Sequence, residues 1–322
     1  MNILVTGGAG YIGSHCCKEL HRRGHKPITL DSLVYGHREN VKWGKLFHGN
    51  IGNDRVLKDI FKLHNIHAVM HFAAYAYVGE SMVDPRKYYE NNVLGTITLL
   101  HHLLKNNVRY FIFSSTCATY GVPQKLPLDE NHPRRPINPY GKTKYMIEEI
   151  LSDYSAAYDL KFMCLRYFNA AGADPEGEIG EVHSPETHLI PIILDAARDR
   201  SKAVQVFGND YDTADGTCVR DFIHVSDLAD AHVLALEQLL KGHASDFINL
   251  GTGSGFSVLQ TIEKASKVTG NKIPYTIAER RPGDPAVLIA SNQKARKVLG
   301  WNPKYTNLED IIQTAWNWHR KL

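Results

Sequence analysis

Cysteine is scarce in this chain. Five occur in 322 residues, Cys16 and Cys17 are adjacent, and no C-x-x-C pair is present. Neither a disulfide framework nor a cysteine-based zinc site is indicated, and a reducing, cytoplasmic compartment is expected. Long apolar runs are also missing. Segments such as Ile28-Thr29-Leu30 and Phe111-Ile112-Phe113 fall far short of the ~20 residues that span a bilayer. The opening Met1-Asn2-Ile3-Leu4-Val5-Thr6-Gly7 has no basic stretch and no long apolar stretch, unlike a signal peptide. Charge of one sign is lacking too: 37 Lys and Arg against 34 Asp and Glu leave +3, with histidine neutral. With no basic block, neither nucleic acid nor a membrane surface is expected as a partner. Among seventeen histidines no pair or carboxylate cluster with metal-ligand character stands out. They are read as surface or core groups, and no metal is expected.

What is present is ordinary globular composition, 43% hydrophobic and 22% charged, long enough for two domains or one large one. Short apolar runs alternate with helical stretches. Ile3-Leu4-Val5, residues 27–31, 69–72, 110–113, 161–166 and 247–250 read as strands. Helical spacing covers 11–23, 52–64 and 85–106. Strands alternating with helices predict a doubly wound parallel sheet of Rossmann type. Past residue 170 the texture changes. Residues 171–187 and 208–219 read as long loops between helices at 188–200, 226–241, 257–269 and 306–320. This predicts a smaller mixed α/β substrate domain. The expected division is 1–170 plus about 221–252 for the dinucleotide, and about 171–220 plus 253–322 for the substrate.

Thr6-Gly7-Gly8-Ala9-Gly10-Tyr11-Ile12-Gly13 joins the first strand to the first helix. It satisfies G-x-G-x-x-G through Gly8, Gly10 and Gly13, and G-x-x-G-x-x-G through Gly7, Gly10 and Gly13. Such glycines permit a tight turn and close approach of a pyrophosphate to the backbone and to the helix N-terminus. Asp31 ends the second strand 18 residues after Gly13. A carboxylate there accepts from the ribose hydroxyls and repels a 2′-phosphate, favouring NAD over NADP.

Tyr140-Gly141-Lys142-Thr143-Lys144 contains Y-x-x-x-K. On a helix the two ends face one side, roughly 6 Å apart. A phenol with a pKa of about 10 is a poor base at neutral pH, and a neighbouring ammonium is expected to lower it. Alone, the pair reads as a surface Tyr and Lys on an amphipathic helix. Ser114-Ser115-Thr116, however, follows the strand at 110–113, where ligands bind in open α/β sheets. A hydroxyl there can bind a substrate oxygen, or simply cap the next turn.

The three features in this order resemble the extended short-chain dehydrogenase/reductase family, on its UDP-sugar 4-epimerase branch. The resemblance covers essentially the whole chain. It rests on TGGAGYIGSH, on HFAA with VGES at 71–81, on SSTCATYG at 114–121 and on NPYGKTK at 138–144. It continues through LRYFNAAGADP at 165–175, FGNDYDTADGTCVRDFIHV at 207–225 and RRPGDPA at 280–286. It implies interconversion of UDP-glucose and UDP-galactose through a 4-keto sugar, with catalytic Thr116, Tyr140 and Lys144. It implies NAD contacts from Gly7, Gly10, Tyr11, Ile12, Gly13, Asp31, Asn50, Ile51, Phe72, Ala73, Asn91, Tyr140, Lys144 and Phe168. It implies UDP-sugar contacts from Thr116, Asn169, Leu189, Phe207, Arg220, Arg281 and Asp284, and a homodimer formed through the helices at 85–106 and 140–158. Guanidinium groups suit a diphosphate, although Arg220 beside Asp221 could equally form a surface ion pair.

The chain departs from the family pattern at three positions. Ala76 stands where relatives often carry a cofactor-reaching lysine, Asn50 replaces an adenine-facing aspartate, and Leu288 occupies the position that gates sugar size. A UDP-xylose/UDP-arabinose epimerase is the nearest alternative. A 4,6-dehydratase would need acids after Thr116, where Cys117 and Ala118 stand. A non-catalytic NAD-binding regulator would not need Thr116, Tyr140 and Lys144.

Overall fold

Along the first strand, Ile3 and Val5 pack into one apolar cluster and Leu4 into another. The same alternation recurs at Ala68, Met70 against Val69 and at Met163, Leu165 against Phe162, Cys164. A strand buried on both faces reads as a continuous apolar run, as parallel sheets require. In the computed structural model, which describes residues 1–281 and 283–322, these runs form one seven-stranded parallel sheet. Pro282, inside the RRPGDPA segment, lies outside the described residues.

The chain's strands are β1 (Asn2–Thr6), β2 (Lys26–Asp31), β3 (Lys45–His48), β4 (Ile66–His71), β5 (Tyr110–Thr116), β6 (Lys161–Tyr167), β7 (Asn169–Ala171), β8 (Val204–Phe207), β9 (Val219–Arg220), β10 (Phe222–His224), β11 (Asp246–Leu250), β12 (Phe256–Ser257), β13 (Tyr275–Ala278) and β14 (Val287–Leu288). Its helices are α1 (Tyr11–Arg22), α2 (Asp54–Leu63), α3 (Val78–Val83), α4 (Pro85–Tyr88), α5 (Gly95–Lys105), α6 (Pro139–Tyr158), α7 (Leu189–Arg198), α8 (Val225–Leu240), α9 (Val258–Thr269), α10 (Gln293–Leu299) and α11 (Leu308–His319).

The large sheet runs β3-β2-β1-β4-β5-β6-β11, the doubly wound order with one strand added. Residues of α1, α8 and α10 fill the cluster on one face, and those of α2, α5 and α6 the cluster on the other. The order reverses between β1 and β4, and the backbone closes there: Phe72 N donates to Thr6 O at 2.9 Å. Ligands of such sheets sit at this crevice. A third cluster, from α7, α9, α11, β7, β8 and β10, forms a separate small core. Beside it β12-β9-β14 form a short sheet, and β7 pairs with β10.

The helix expected over 85–106 is not continuous. It comprises α4, a wide π turn at Tyr89–Leu94, and α5. The buried Asn92 accounts for the widening. Its amide accepts from Tyr75 N at 2.9 Å and donates to Tyr75 O at 3.0 Å, which draws this turn onto the segment after β4. The edge strand β3 and the short α3 and α10 add to the expected elements. None of the helices described is long and apolar enough to cross a membrane.

Candidate active site

The turn after β1 is built for close approach. Gly10 N donates to Gly7 O at 3.1 Å, and a Cβ at Gly13 would lie 2.2 Å from that same oxygen. The helix α1 starts at Gly10 with no side-chain cap and no acidic residue in its first turn, so its free N–H groups and positive dipole end suit an anion. Tyr11 opens the helix, and its hydroxyl donates to Gly172 O at 2.6 Å. Ile12 follows it on the rim of the turn. Asp31 is buried at the end of β2. Its carboxylate accepts from Ala9 N at 3.0 Å and from Leu33 N at 2.8 Å. Burial raises its pKa while those bonds pull it down. Each oxygen keeps a lone pair for a further donor.

The next group of expected cofactor residues also converges. Asn50 donates to Asn91 Oδ1 at 3.0 Å and accepts from Gly52 N at 2.7 Å. Ile51 is buried beside it. Phe72 and Ala73 follow β4 at the reversal of strand order, and Phe168 is buried just past β6. A strain-free glycine cradle, an unblocked helix end and a buried carboxylate at the tip of β2 fit a dinucleotide.

Thr116 ends β5 and caps a tight turn, its Oγ1 accepting from Ala118 N at 3.2 Å. Tyr140 opens α6, which Asn138 caps by accepting from Gly141 N at 2.8 Å with Pro139 at the first helical position. A Cβ at Gly141 would lie 2.5 Å from Ala118 O. Only glycine lets the first turn of α6 press against the Thr116 turn, and this contact places the Tyr140 phenol near enough to Thr116 for the threonine hydroxyl to favour its ionised form. Sequence reading overlooked Gly141, although its place between Tyr140 and Lys144 marks it.

The expected lowering of the Tyr140 pKa is corrected. Burial pushes the phenol up to about 12, and the neighbouring Thr116 hydroxyl opposes this only in part. The lysine explains the difference. Lys144 is buried, and burial lowers its ammonium to about 7 against the attraction of Glu148. Its Nζ donates to Ser114 O at 2.7 Å rather than to the phenol. Behind it, Glu148 accepts from Ser115 Oγ at 2.6 Å and from Arg166 at 2.8 and 2.7 Å. Arg166 also donates to Tyr120 Oη at 2.9 Å. This buried network fixes the ends of β5, β6 and α6 relative to one another.

Among the residues expected to hold UDP, Arg220 on β9 donates to Asp284 Oδ1 at 2.6 Å and to Pro285 O at 2.9 Å. The ion-pair alternative for Arg220 is therefore realised, with Asp284 as its partner. Asp221 instead receives Thr252 and Ala290 backbone N–H groups at 2.9 and 3.3 Å. The Arg220 charge still reaches the Cys117 thiol beside Thr116, so the arginine lies on the side of the Thr116 turn. Leu288 pairs with Arg220 across β14 and β9. Arg281 lies over the Phe207 ring at 3.8 Å. Asn169 donates to Asp221 O at 3.1 Å, and Leu189 opens α7.

Two of the histidines converge with two glutamates, a grouping the sequence reading did not expect. Glu181, His183, Glu186 and His188 bring four donor atoms within 4.8 Å of one another. The signal was present as E-x-H-x-x-E-x-H, but it lay in a segment read only as a loop.

A family model described as the NAD dependent epimerase/dehydratase family matches residues 3–251. A UDP-glucose 4-epimerase of Halalkalibacterium halodurans is 54% identical over 321 residues, covering 100% of this chain and 96% of that protein. A solved UDP-glucose 4-epimerase of Brucella ovis in complex with NAD is 48% identical with a TM-score of 0.95, covering 98% of this chain and 97% of the other. That of Bifidobacterium longum, in complex with NAD+ and UDP, is 39% identical with a TM-score of 0.94, covering 100% and 98%. With the glycine cradle, the Thr116–Tyr140 pair and the sheet order all in place, the chain belongs to the NAD dependent epimerase/dehydratase family.

Proposed function

We propose that this chain interconverts UDP-glucose and UDP-galactose by epimerisation at C4, with NAD as its resident cofactor. The observation that carries this reading is the close packing of the Tyr140 turn on the Thr116 turn, where a Cβ at Gly141 would lie 2.5 Å from Ala118 O, in a chain that also has the glycine cradle after β1. Relatives of this kind are 54% identical over the whole chain. Gly7, Gly10, Tyr11, Ile12 and Gly13 would hold the cofactor diphosphate, Asp31 its ribose, and Asn50 and Ile51 its adenine side. Phe72, Ala73, Asn91 and Phe168 would line the remainder, with Tyr140 and Lys144 at the reacting end. NAD supplies a two-electron acceptor and donor, so passage through a 4-keto sugar leaves no net redox.

Tyr140 takes the C4 hydroxyl proton and returns it. Thr116 orients that hydroxyl and shares its proton. Lys144, fixed on the Ser114 carbonyl, places positive charge behind the phenol. Arg220, Arg281 and Asp284, with Asn169, Leu189 and Phe207, would hold UDP. Tight contacts on the unreactive nucleotide offset the cost of positioning a sugar that must present both faces.

In this reading residues 1–170 plus about 221–252 serve the cofactor, and about 171–220 plus 253–322 the UDP-sugar. Met82, Val83, Leu94 and Met146 are exposed on α3, the π turn and α6, which supports pairing with a second copy. The reduced, unbridged cysteines suit a cytoplasmic protein.

The experiment is incubation of purified protein with UDP-galactose and no added reductant. UDP-glucose should appear. Its absence from NAD-loaded protein, with UDP-arabinose and N-acetylated sugars also unchanged, removes the reading. Turnover confined to the pentose pair moves the assignment to that substrate.

A further inference from the structure

The strap before α7 carries donors that the proposed reaction does not use. His183 Nδ1 lies 3.2 Å from Glu181 Oε1 and 3.7 Å from Glu186 Oε2. His188 Nδ1 lies 2.8 Å from Glu181 Oε1 and 3.1 Å from Glu186 Oε1. Zinc with bonds of 2.0–2.1 Å in a tetrahedron has ligand-to-ligand edges of roughly 3.3–3.4 Å. These contacts lie near that length, with Glu186 facing His183 through Oε2 and His188 through Oε1, and one donor atom from each residue lies within 4.8 Å of the others.

Charge and hydrogen bonding point the same way. Among the described residues no lysine or arginine pairs with Glu181 or Glu186; only the two histidines do. One divalent cation with two neutral imidazoles neutralises both carboxylates. His183 Nδ1 is buried and has no hydrogen bond of acceptable geometry, although two carboxylates surround it. The His188 nitrogen faces two acceptors with one hydrogen at most. The neighbouring acidic group gives the contrast. Asp174, Glu176 and Glu178 also converge, but Lys18 Nζ already fills their centre at 2.8, 2.7 and 2.7 Å.

The surroundings hold the donors in place. Glu186 Oε1 accepts from Thr187 N and His188 N, both at 2.8 Å, and Trp318 Nε1 donates to Glu181 O at 3.2 Å. The Glu186 carboxylate is thus oriented as ligating carboxylates are in metal sites, and Trp318 holds the backbone of Glu181. The His183 ring meets Tyr11 and Tyr77 edge-on at 6.4 and 6.3 Å. The Tyr77 hydroxyl donates to Pro185 O at 3.3 Å. The cluster thus lies directly against the first residue of α1, beside the glycine cradle.

We propose that Glu181, His183, Glu186 and His188 bind one divalent cation of the zinc class, which pins the strap over the dinucleotide turn. A two-nitrogen, two-oxygen tetrahedral set selects zinc over magnesium or calcium. The cation is structural. It fixes the strap against Tyr11 and sets the start of α7 at Leu189.

The test is metal counting on untagged, NAD-loaded protein dialysed against micromolar zinc and then against metal-free buffer. About one zinc per chain should remain by plasma mass spectrometry. A His183→Ala/His188→Ala double variant should lose it, while Asp174→Asn keeps it. Cobalt(II) titrated into the unsubstituted protein, which avoids any failure of the variant to fold, should give the intense visible bands of a four-coordinate ion. Stripping the metal should speed the release of NAD severalfold. Less than a tenth of an equivalent of zinc, equal zinc in the double variant, or only the weak bands of six-coordinate cobalt would overturn the proposal. The four residues would then be two proton-bridged ion pairs. None of these readouts depends on which sugar is turned over.

Discussion

Lys144 Nζ and the carbonyl of Ser114 are 2.7 Å apart, deep in the protein. The ammonium therefore takes its position from β5, the strand that also ends in Thr116, so charge and hydroxyl are set by one element. Lys144→Met should lower kcat about 100- to 10,000-fold, the range of a lost acid–base assembly, while UDP binding measured by calorimetry stays within a few fold. Lys144→Arg should not rescue turnover, because a planar guanidinium cannot reproduce a point charge on that carbonyl. Near-normal kcat in either variant would remove Lys144 from the reaction.

Tyr140 makes a different prediction because burial, and not its lysine, sets its acidity in the protein alone. The phenol is held at about 12. An added positive charge favours the phenolate and moves that value down. The ultraviolet tyrosinate signal of the parent, minus that of Tyr140→Phe, should appear near the upper end of the pH range in NAD-free protein. It should shift to lower pH by more than one unit when NAD+ is bound. Tyr140→Phe itself should bind UDP and lose turnover. An unchanged difference signal would mean that the phenol does not sense the cofactor.

The strand–turn–helix of residues 2–22 was legible because its signals are local: an apolar run, glycines at fixed spacing, and an acid at the end of the next strand. Thr116, Tyr140 and Lys144 could be singled out from residue type and chain order. The acidity of Tyr140 was not legible, because it depends on burial and on where Lys144 points, which only packing decides. Gly141 was missed for a related reason, since its constraint is the carbonyl of Ala118 in another element. The 181–188 strap was hardest to read. Its four donors meet through an irregular backbone with no period for a sequence pattern to follow.

Gly13 tests the cofactor cradle separately from the chemistry. A methyl group there would lie 2.2 Å from Gly7 O, and 2.9 Å from its carbonyl carbon. Both are backbone atoms and cannot swing aside as a side chain would. Gly13→Ala should still fold, since the rest of α1 is unaffected, but NAD released on acid denaturation should fall from about one per chain to a small fraction. Full NAD content in this variant would show that the dinucleotide does not rest on the turn.

His71 ties the site to acid stability. Thr96 Oγ1 donates to Asn92 O at 2.5 Å, so it must accept from His71 Nε2, 2.9 Å away. His71 Nδ1 then accepts from Thr6 Oγ1 at 2.6 Å. Both ring nitrogens are committed with one proton between them, so the ring is neutral and of fixed tautomer. Burial, with the charge of Lys144 adding to it, lowers the pKa to about 3, against about 6.5 in the unfolded chain. Between those values the unfolded chain holds a proton that the folded chain does not. Stability therefore falls as pH drops from about 6.5 towards 3, by about 1.4 kcal/mol per pH unit for each such group. His15 and His232 at about 4 and His224 at about 3 act in the same direction, so the combined slope should exceed one proton. His71→Gln should cost about 1–3 kcal/mol at pH 7 through its lost buried hydrogen bonds, and should also make the acid slope shallower by one proton. Urea midpoints from pH 7 down to pH 4.5 measure both effects. A variant as steep as the parent would mean that His71 is protonated in the folded protein.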